Sequence, residues 1–339
     1  MKRFSGTHTS YGAGATLGRL MTIAEASQII REGQIVSVAG DERALRQLPT
    51  GLWIGGTISY FMAEGGGKCS QDIVFVNFLP DAGEKPRLAV YDIRTIEEIC
   101  NDAPASGFTV MVIPGYSQIL DRYARDAPEF ENIYLQPLVG WVSGVHLDEL
   151  WSRTPKVVYG PTGEFLENSA VALHVGVDED RITTVETVNI FEPGNGDILR
   201  FPESGFAARQ VEVNGQLLDF TSYLNNNRIN IQLPLMTEYR GAALNVGIQS
   251  VEAERVTFFA PVFEGQEYRF ARDIPSYSEA FEQCIPKETG QVAFCCNCIL
   301  NYQYGELEGK STGQMYGPIS FGEIAYQLVT QTMVYLRIL

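Results

Sequence analysis

The run Cys295-Cys296-Asn297-Cys298 places three thiols within four residues, and Cys284 lies shortly before it. Thiolates at C-x-x-C spacing can hold zinc or cycle as a redox pair. A structural zinc site needs four ligands, so Cys69, Cys100 or a histidine would have to supply the remainder from elsewhere in the chain. On a strand, Cys296 and Cys298 point to one face while Cys295 and Asn297 point to the other. The thiols then do not converge without a turn. A free cysteine also packs as a small hydrophobe. Core packing, pocket lining, and thiol or metal chemistry all stay open for this run, and core packing is the plainest of them.

Glu323 follows Gly322 in an otherwise uncharged segment, Gly317-Pro-Ile-Ser-Phe-Gly-Glu-Ile324. Its carboxylate can accept hydrogen bonds from a ligand amine or from nearby backbone amides. Ser320-x-x-Glu323 is equally the spelling of a helix capping box. Trp53, Gly55, Gly56 and Thr57 form another candidate group. Glycines let backbone approach a ligand closely, and an indole offers a flat apolar face with one donor. Tight packing between strands is the alternative for that group. His8, His146 and His174 are the only histidines. A Cys–His pair assembled from distant positions stays open. No Gly-x-Ser-x-Gly elbow, P-loop or His-Glu-x-x-His is present. Gly12-x-Gly14 lacks a preceding hydrophobic strand, and Leu17 stands where a dinucleotide loop needs its third glycine.

The elements that must position these groups follow from periodicity and punctuation. Thr22-x-x-Glu25 is a capping box, followed by Ile23, Ala26, Ile29 and Ile30 at helical spacing, with Gly33 as a stop. A short buried strand is expected near residues 35–39 and a second helix over 41–48. Strands are expected over 73–78 and 108–114, with a helix between them near 95–100 and another from Ser117 to Arg125. The pattern then turns β-rich, with strands near 156–159, 169–175 and 183–190. Asn214-Gly215 marks a hairpin, followed by a helix through Leu224. A strand over 255–262, a helix over 276–284, and strands over 291–296 and 332–339 complete the chain. This mixture predicts an α+β fold, with two β-sheet-containing halves and flanking helices.

The bulk numbers narrow the function. The chain has 339 residues, 45% hydrophobic and 19% charged, which suits a globular protein with a sizeable core. The formal charge of −16 argues against nucleic acid and against an anionic membrane surface as partners. No stretch approaches the roughly 18–20 apolar residues of a membrane span. The polar segment Ser5 to Tyr11 lacks the apolar core of a signal peptide. A cytoplasmic location with mostly reduced cysteines is therefore expected.

The order of landmarks resembles the bacterial FIST-type sensory domain. Val213-Asn-Gly-Gln-Leu-Leu-Asp-Phe-Thr-Ser-Tyr223, Val262-Phe-Glu-Gly265, Val292-Ala-Phe-Cys-Cys296 and Gly317-Pro-Ile-Ser-Phe-Gly-Glu-Ile-Ala325 are similar to successive elements of its C-terminal half. Val329-Thr-Gln-Thr332 looks like its closing strand. Trp53-Ile-Gly-Gly-Thr-Ile58 and Val158-Tyr-Gly-Pro-Thr-Gly-Glu164 are similar to elements of its N-terminal half. The resemblance divides the chain into residues 1–200 and 201–339. It departs from the family where an arginine usually follows the strand cysteine, because Cys298 and Ile299 stand there.

What the resemblance implies is a non-catalytic sensor for a small polar ligand of the amino-acid-like kind, signalling through a separate protein. The expected pocket lies between the halves. Its expected lining is Trp53, Gly55, Gly56, Thr57, Cys296, Cys298, Gly322 and Glu323. No cofactor, metal or catalytic residue is expected. The competing expectations are a thiol- or metal-dependent enzyme built on Cys295–Cys298 and, third, a structural or oligomerisation module suggested by the apolar C-terminal strand.

Overall fold

The fold comes from a computed structural model that describes residues 17–79, 86–239, 241–285 and 291–339. His8 and Gly12-x-Gly14 lie outside the described residues. The class is α+β: many strands in several mixed sheets, with few and short helices.

Three six-stranded sheets carry the architecture. Each contains one parallel pair, and a helix lies on each crossover. In the first sheet Val36–Gly40 runs parallel to Trp53–Thr57, with the helix Glu42–Leu45 between them. In the second, Gly107–Pro114 runs parallel to Leu138–Ser143, joined through the helix Gln118–Asp126. In the third, Gln291–Cys298 runs parallel to Gly317–Ser320, joined through the helix Ile299–Tyr304. Parallel strands need such crossovers because a tight turn reverses direction. All eight residues of Gly107–Pro114 are buried, which is why that segment reads as a continuous apolar run rather than an alternation.

Strands from both sides of residue 200 share sheets. Glu323–Ala325 pairs with Leu138–Ser143, Met333–Ile338 pairs with Thr183–Val188, and Gly317–Ser320 pairs with Tyr60–Ala63. The largest core cluster accordingly mixes Trp141, Val171 and Leu173 with Phe294, Met333 and Leu336.

Local signals placed several elements closely. Thr22 and Glu25 form the reciprocal capping box, with Glu25 N–H donating to Thr22 Oγ1 at 3.3 Å and Thr22 N–H donating to Glu25 Oε2 at 2.8 Å. Asn214 and Gly215 both adopt positive φ, 49° and 90°, as a two-residue hairpin turn requires. Residues 95–100 wind only as a short 3-10 turn, Ile96–Ile99, and the Thr95 hydroxyl turns back to accept Asp92 N–H at 3.0 Å. Ser320-x-x-Glu323 does not cap a helix. Ser320 ends one strand and Glu323 begins another in a different sheet. Each is claimed by a partner strand, Ser320 opposite Cys298 and Glu323 opposite Trp141, and that pairing overrides the local spelling.

Candidate functional site

The carboxyl ends of the three parallel pairs are stitched together by backbone and side-chain bonds. Gly115, just past Pro114, donates its N–H to Ser143 O at 3.1 Å. Gly144 N–H donates to Thr57 O at 2.7 Å, and Thr57 N–H donates to Lys156 O at 2.9 Å. Phe321, just past Ser320, donates to Val142 O at 3.1 Å. Asp41, just past Gly40, meets Arg153 at 3.5 Å. In sheets with parallel strands the loops leaving the carboxyl ends diverge and leave room for a ligand.

A cleft of about 1070 Å³ opens at this end of the molecule. One wall is the segment from Leu147 to Pro155, and the opposite wall is the antiparallel pair Ile248–Val251 and Val256–Val262. Cys298, Ile299, Leu300 and Thr330 line it from the core side. Aromatic groups stand around it: Tyr116, Trp151, Phe259 and Phe321. Trp151 is 98% exposed and Tyr116 57% exposed, whereas Trp53 and Trp141 are fully buried. Large exposed aromatics gathered at one concave surface are the kind of patch that marks recognition.

Tyr116 is held in the left-handed region at φ 56°. That conformation costs a non-glycine residue roughly 1–2 kcal/mol. Ser117 immediately after it caps the helix Gln118–Asp126 by accepting Leu120 N–H at 3.2 Å. The Tyr116 ring meets Phe321 edge to face, with centroids 6.0 Å apart. The turn therefore presents the tyrosine ring to the cleft while starting the helix correctly.

Behind Cys298 lies a buried carboxyl. Glu323 is fully enclosed and accepts the Thr332 hydroxyl at 2.8 Å and the Thr332 amide at 3.3 Å, with Ser320 Oγ at 3.5 Å. Burial pushes its pKa up to about 8, against the pull of these donors. The same burial, with Glu323 alongside, raises the Cys296 and Cys298 thiols well above their ordinary value. Such an environment keeps the thiols protonated, whereas nucleophilic and metal-binding cysteines need the thiolate.

The structure brings only part of the expected site together. Cys298 reaches the cleft and Glu323 lies close behind it, while Gly322 packs against Leu328 and Val142. Cys296 shares the face of Cys298 but sits deeper, its thiol donating to Gly140 O at 3.3 Å. Trp53 packs on the far side of its sheet against helix Ile23–Arg31, and its indole N–H donates to Pro49 O at 3.0 Å. Gly55 and Gly56 are packing glycines: a Cβ would fall 2.3 Å from Val38 O at Gly55 and 2.7 Å from Val112 at Gly56. Thr57 receives Lys156 N–H at 2.9 Å and ties the Pro155 wall to its sheet. None of these four lines the cleft. Among the described residues, no group of three or more His, Cys, Asp or Glu side chains is placed to hold a metal ion.

Tyr116, Trp151, Gln249, Arg255 and Phe321 escaped sequence reading. They are contributed by four separate segments, Gln249 and Arg255 coming from one hairpin, and share no motif. One signal was available: Gly115-Tyr116-Ser117 joins an unbroken apolar strand to a capped helix, which is where the carboxyl-end rule places ligands.

An α+β protein with helical crossovers in each main sheet and an open cleft at their carboxyl ends is what the fold and site define. The chain belongs to a family of unknown function, DUF6976, whose model matches residues 21–339. No curated protein and no solved structure matches it.

Proposed function

We propose that this protein binds a small molecule in the cleft between the Leu147–Pro155 wall and the strands bearing Gln249 and Phe259, and that it acts as a sensor rather than an enzyme. The observation that carries this reading is the cleft itself. It is large enough for a metabolite, sits at the carboxyl ends of parallel strands, and mixes aromatic rings with polar groups such as Gln249, Thr257 and Gln303. The buried, protonated thiols beside it favour binding over thiol chemistry. The resemblance of the chain to FIST-type sensory domains supports the same reading, with the response passed to a separate protein.

The test is a thermal-shift screen of metabolites against the intact protein. A ligand selective for the folded state raises Tm. Binding should weaken in Trp151→Ala and Gln249→Ala, which lie on opposite walls. If no metabolite raises Tm, and hydrolase or oxidoreductase turnover appears and is lost in Cys298→Ser, the sensor reading is wrong and the thiol enzyme replaces it.

A further inference from the structure

A smaller lobe of about 380 Å³ continues the cleft beyond the Tyr116–Phe321 pair. Tyr116, Gln249, Phe259 and Phe321 line both spaces, so the two adjoin at these side chains. The two lobes differ in chemistry. The smaller is walled by Leu120, Val142, Phe206 and Phe258 together with the shared phenylalanines. Of its polar neighbours, Ser117 Oγ donates to Pro114 O at 2.6 Å and Asp121 pairs with Arg125 at 2.7 Å, while Gln118 and Gln249 also line it. What it offers a ligand is mainly apolar surface, whose burial is favourable in proportion to area.

The larger lobe carries two guanidinium groups, Arg153 and Arg255. Arg255 is exposed and forms no ion pair among the described residues. Arg153 meets its carboxylates only at 3.5 Å from Asp41 and 3.6 Å from Glu149, leaving its fork under-used. Glu252 is the one acidic side chain on this lobe, and it is exposed and reached by the Ser250 hydroxyl at 3.4 Å. Two arginines thus line this lobe against one lining carboxylate, in a chain of net charge −16.

We infer that the cleft takes a small amphiphilic anion, its bulky apolar body in the Phe206–Phe258 lobe and its acidic head at Arg255 and Arg153. This inference rests on the cleft reading above and narrows it from a polar ligand to one with an apolar end. Aryl and acyl bodies share this chemistry, and the experiment separates them.

The experiment titrates the intact protein with anilinonaphthalene sulfonate, followed by fluorescence, then displaces the dye with naphthoate, dodecanoate or dodecyltrimethylammonium. Saturable binding is expected, with a raised Tm. Displacement by naphthoate assigns an aryl body and displacement by dodecanoate an acyl body, while the cation leaves the dye in place. Arg255→Glu should weaken dye binding about tenfold, the worth of a charge-assisted hydrogen bond. Because Arg255 is exposed, Tm without ligand should not move. Phe206→Glu should weaken it similarly. Displacement by the cation as readily as by the anions, or unchanged binding in both variants, overturns the inference. If it is overturned while a wholly polar metabolite still raises Tm through Gln249, the cleft reading survives. If no compound of any class binds, both fall.

Discussion

The carboxyl group of Glu323 receives both the hydroxyl and the amide of Thr332, at 2.8 and 3.3 Å, in a fully enclosed position. This pair ties the strand Glu323–Ala325 to the start of Met333–Ile338, and so joins two sheets at the point where they back the cleft. Burial keeps this carboxyl neutral at moderate pH, against the pull of the Thr332 donors, which favour the ionised form.

The Glu323 pKa rises from its ordinary 4.5 to about 8 in the folded protein. The folded state therefore holds a proton that the unfolded chain has released across that interval, so stability falls as pH rises through it. His174 works in the opposite direction. Burial between Tyr91, at 2.9 Å, and Thr109, at 2.8 Å, lowers its pKa from 6.5 to about 4. Stability from that group is complete above pH 6.5 and is lost as pH falls toward 4. The two slopes oppose each other between pH 4.5 and 6.5, giving a plateau there and a decline on the alkaline side. Urea denaturation across pH should show this profile. Glu323→Gln should remove the alkaline decline, and a variant that retains the full decline would show that Glu323 is not its source.

Thiol reactivity should separate one cysteine from the rest. Cys284 is exposed, Cys69 and Cys100 are half-buried, and Cys295, Cys296 and Cys298 are buried. A chromogenic disulfide reagent should modify Cys284 first, and Cys284→Ser should abolish that fast phase. The buried thiols should react only as the fold opens. Early modification of Cys298, located by peptide mass, would instead support the thiol-enzyme alternative.

Gly55→Ala distinguishes packing from ligand contact. The added methyl would lie 2.3 Å from Val38 O, on the neighbouring parallel strand. Overpacking of this kind costs roughly 1–3 kcal/mol. Chemical denaturation should show that loss, while affinity for any cleft ligand stays unchanged in the folded fraction. An affinity change without a stability change would return Gly55 to the binding site.

Trp151 supplies a direct reporter. It is 98% exposed, and the other two tryptophans are 1% and 0% exposed. Trp151→Phe should remove the long-wavelength component of the emission and alter stability by less than about 0.5 kcal/mol. A ligand filling the cleft should shift the wild-type emission to shorter wavelength and leave the variant unmoved. A shift that persists in Trp151→Phe would place the ligand elsewhere.

Features decided within a few residues were legible before the fold was known. The capping box at Thr22 and Glu25, the Asn214-Gly215 turn and the Ser117 helix start rest on bonds between near neighbours. The strand carrying the cysteine run was legible too, and it continues through Cys298. Ser320 and Glu323 show where that reading stops. They spell the same cap as Thr22 and Glu25, but partner strands far away in sequence hold them extended.

The sequence by itself determined the α+β class, most element positions and the alternation of faces along the cysteine strand, because periodicity and capping act over one or two turns. Only the tertiary structure decided that Trp53 and its glycines pack while Cys298 reaches the cleft. It also decided that Tyr116, Trp151 and Arg255 meet around one space. Those outcomes depend on how three sheets align their carboxyl ends, a matter of long-range strand pairing that no local pattern encodes.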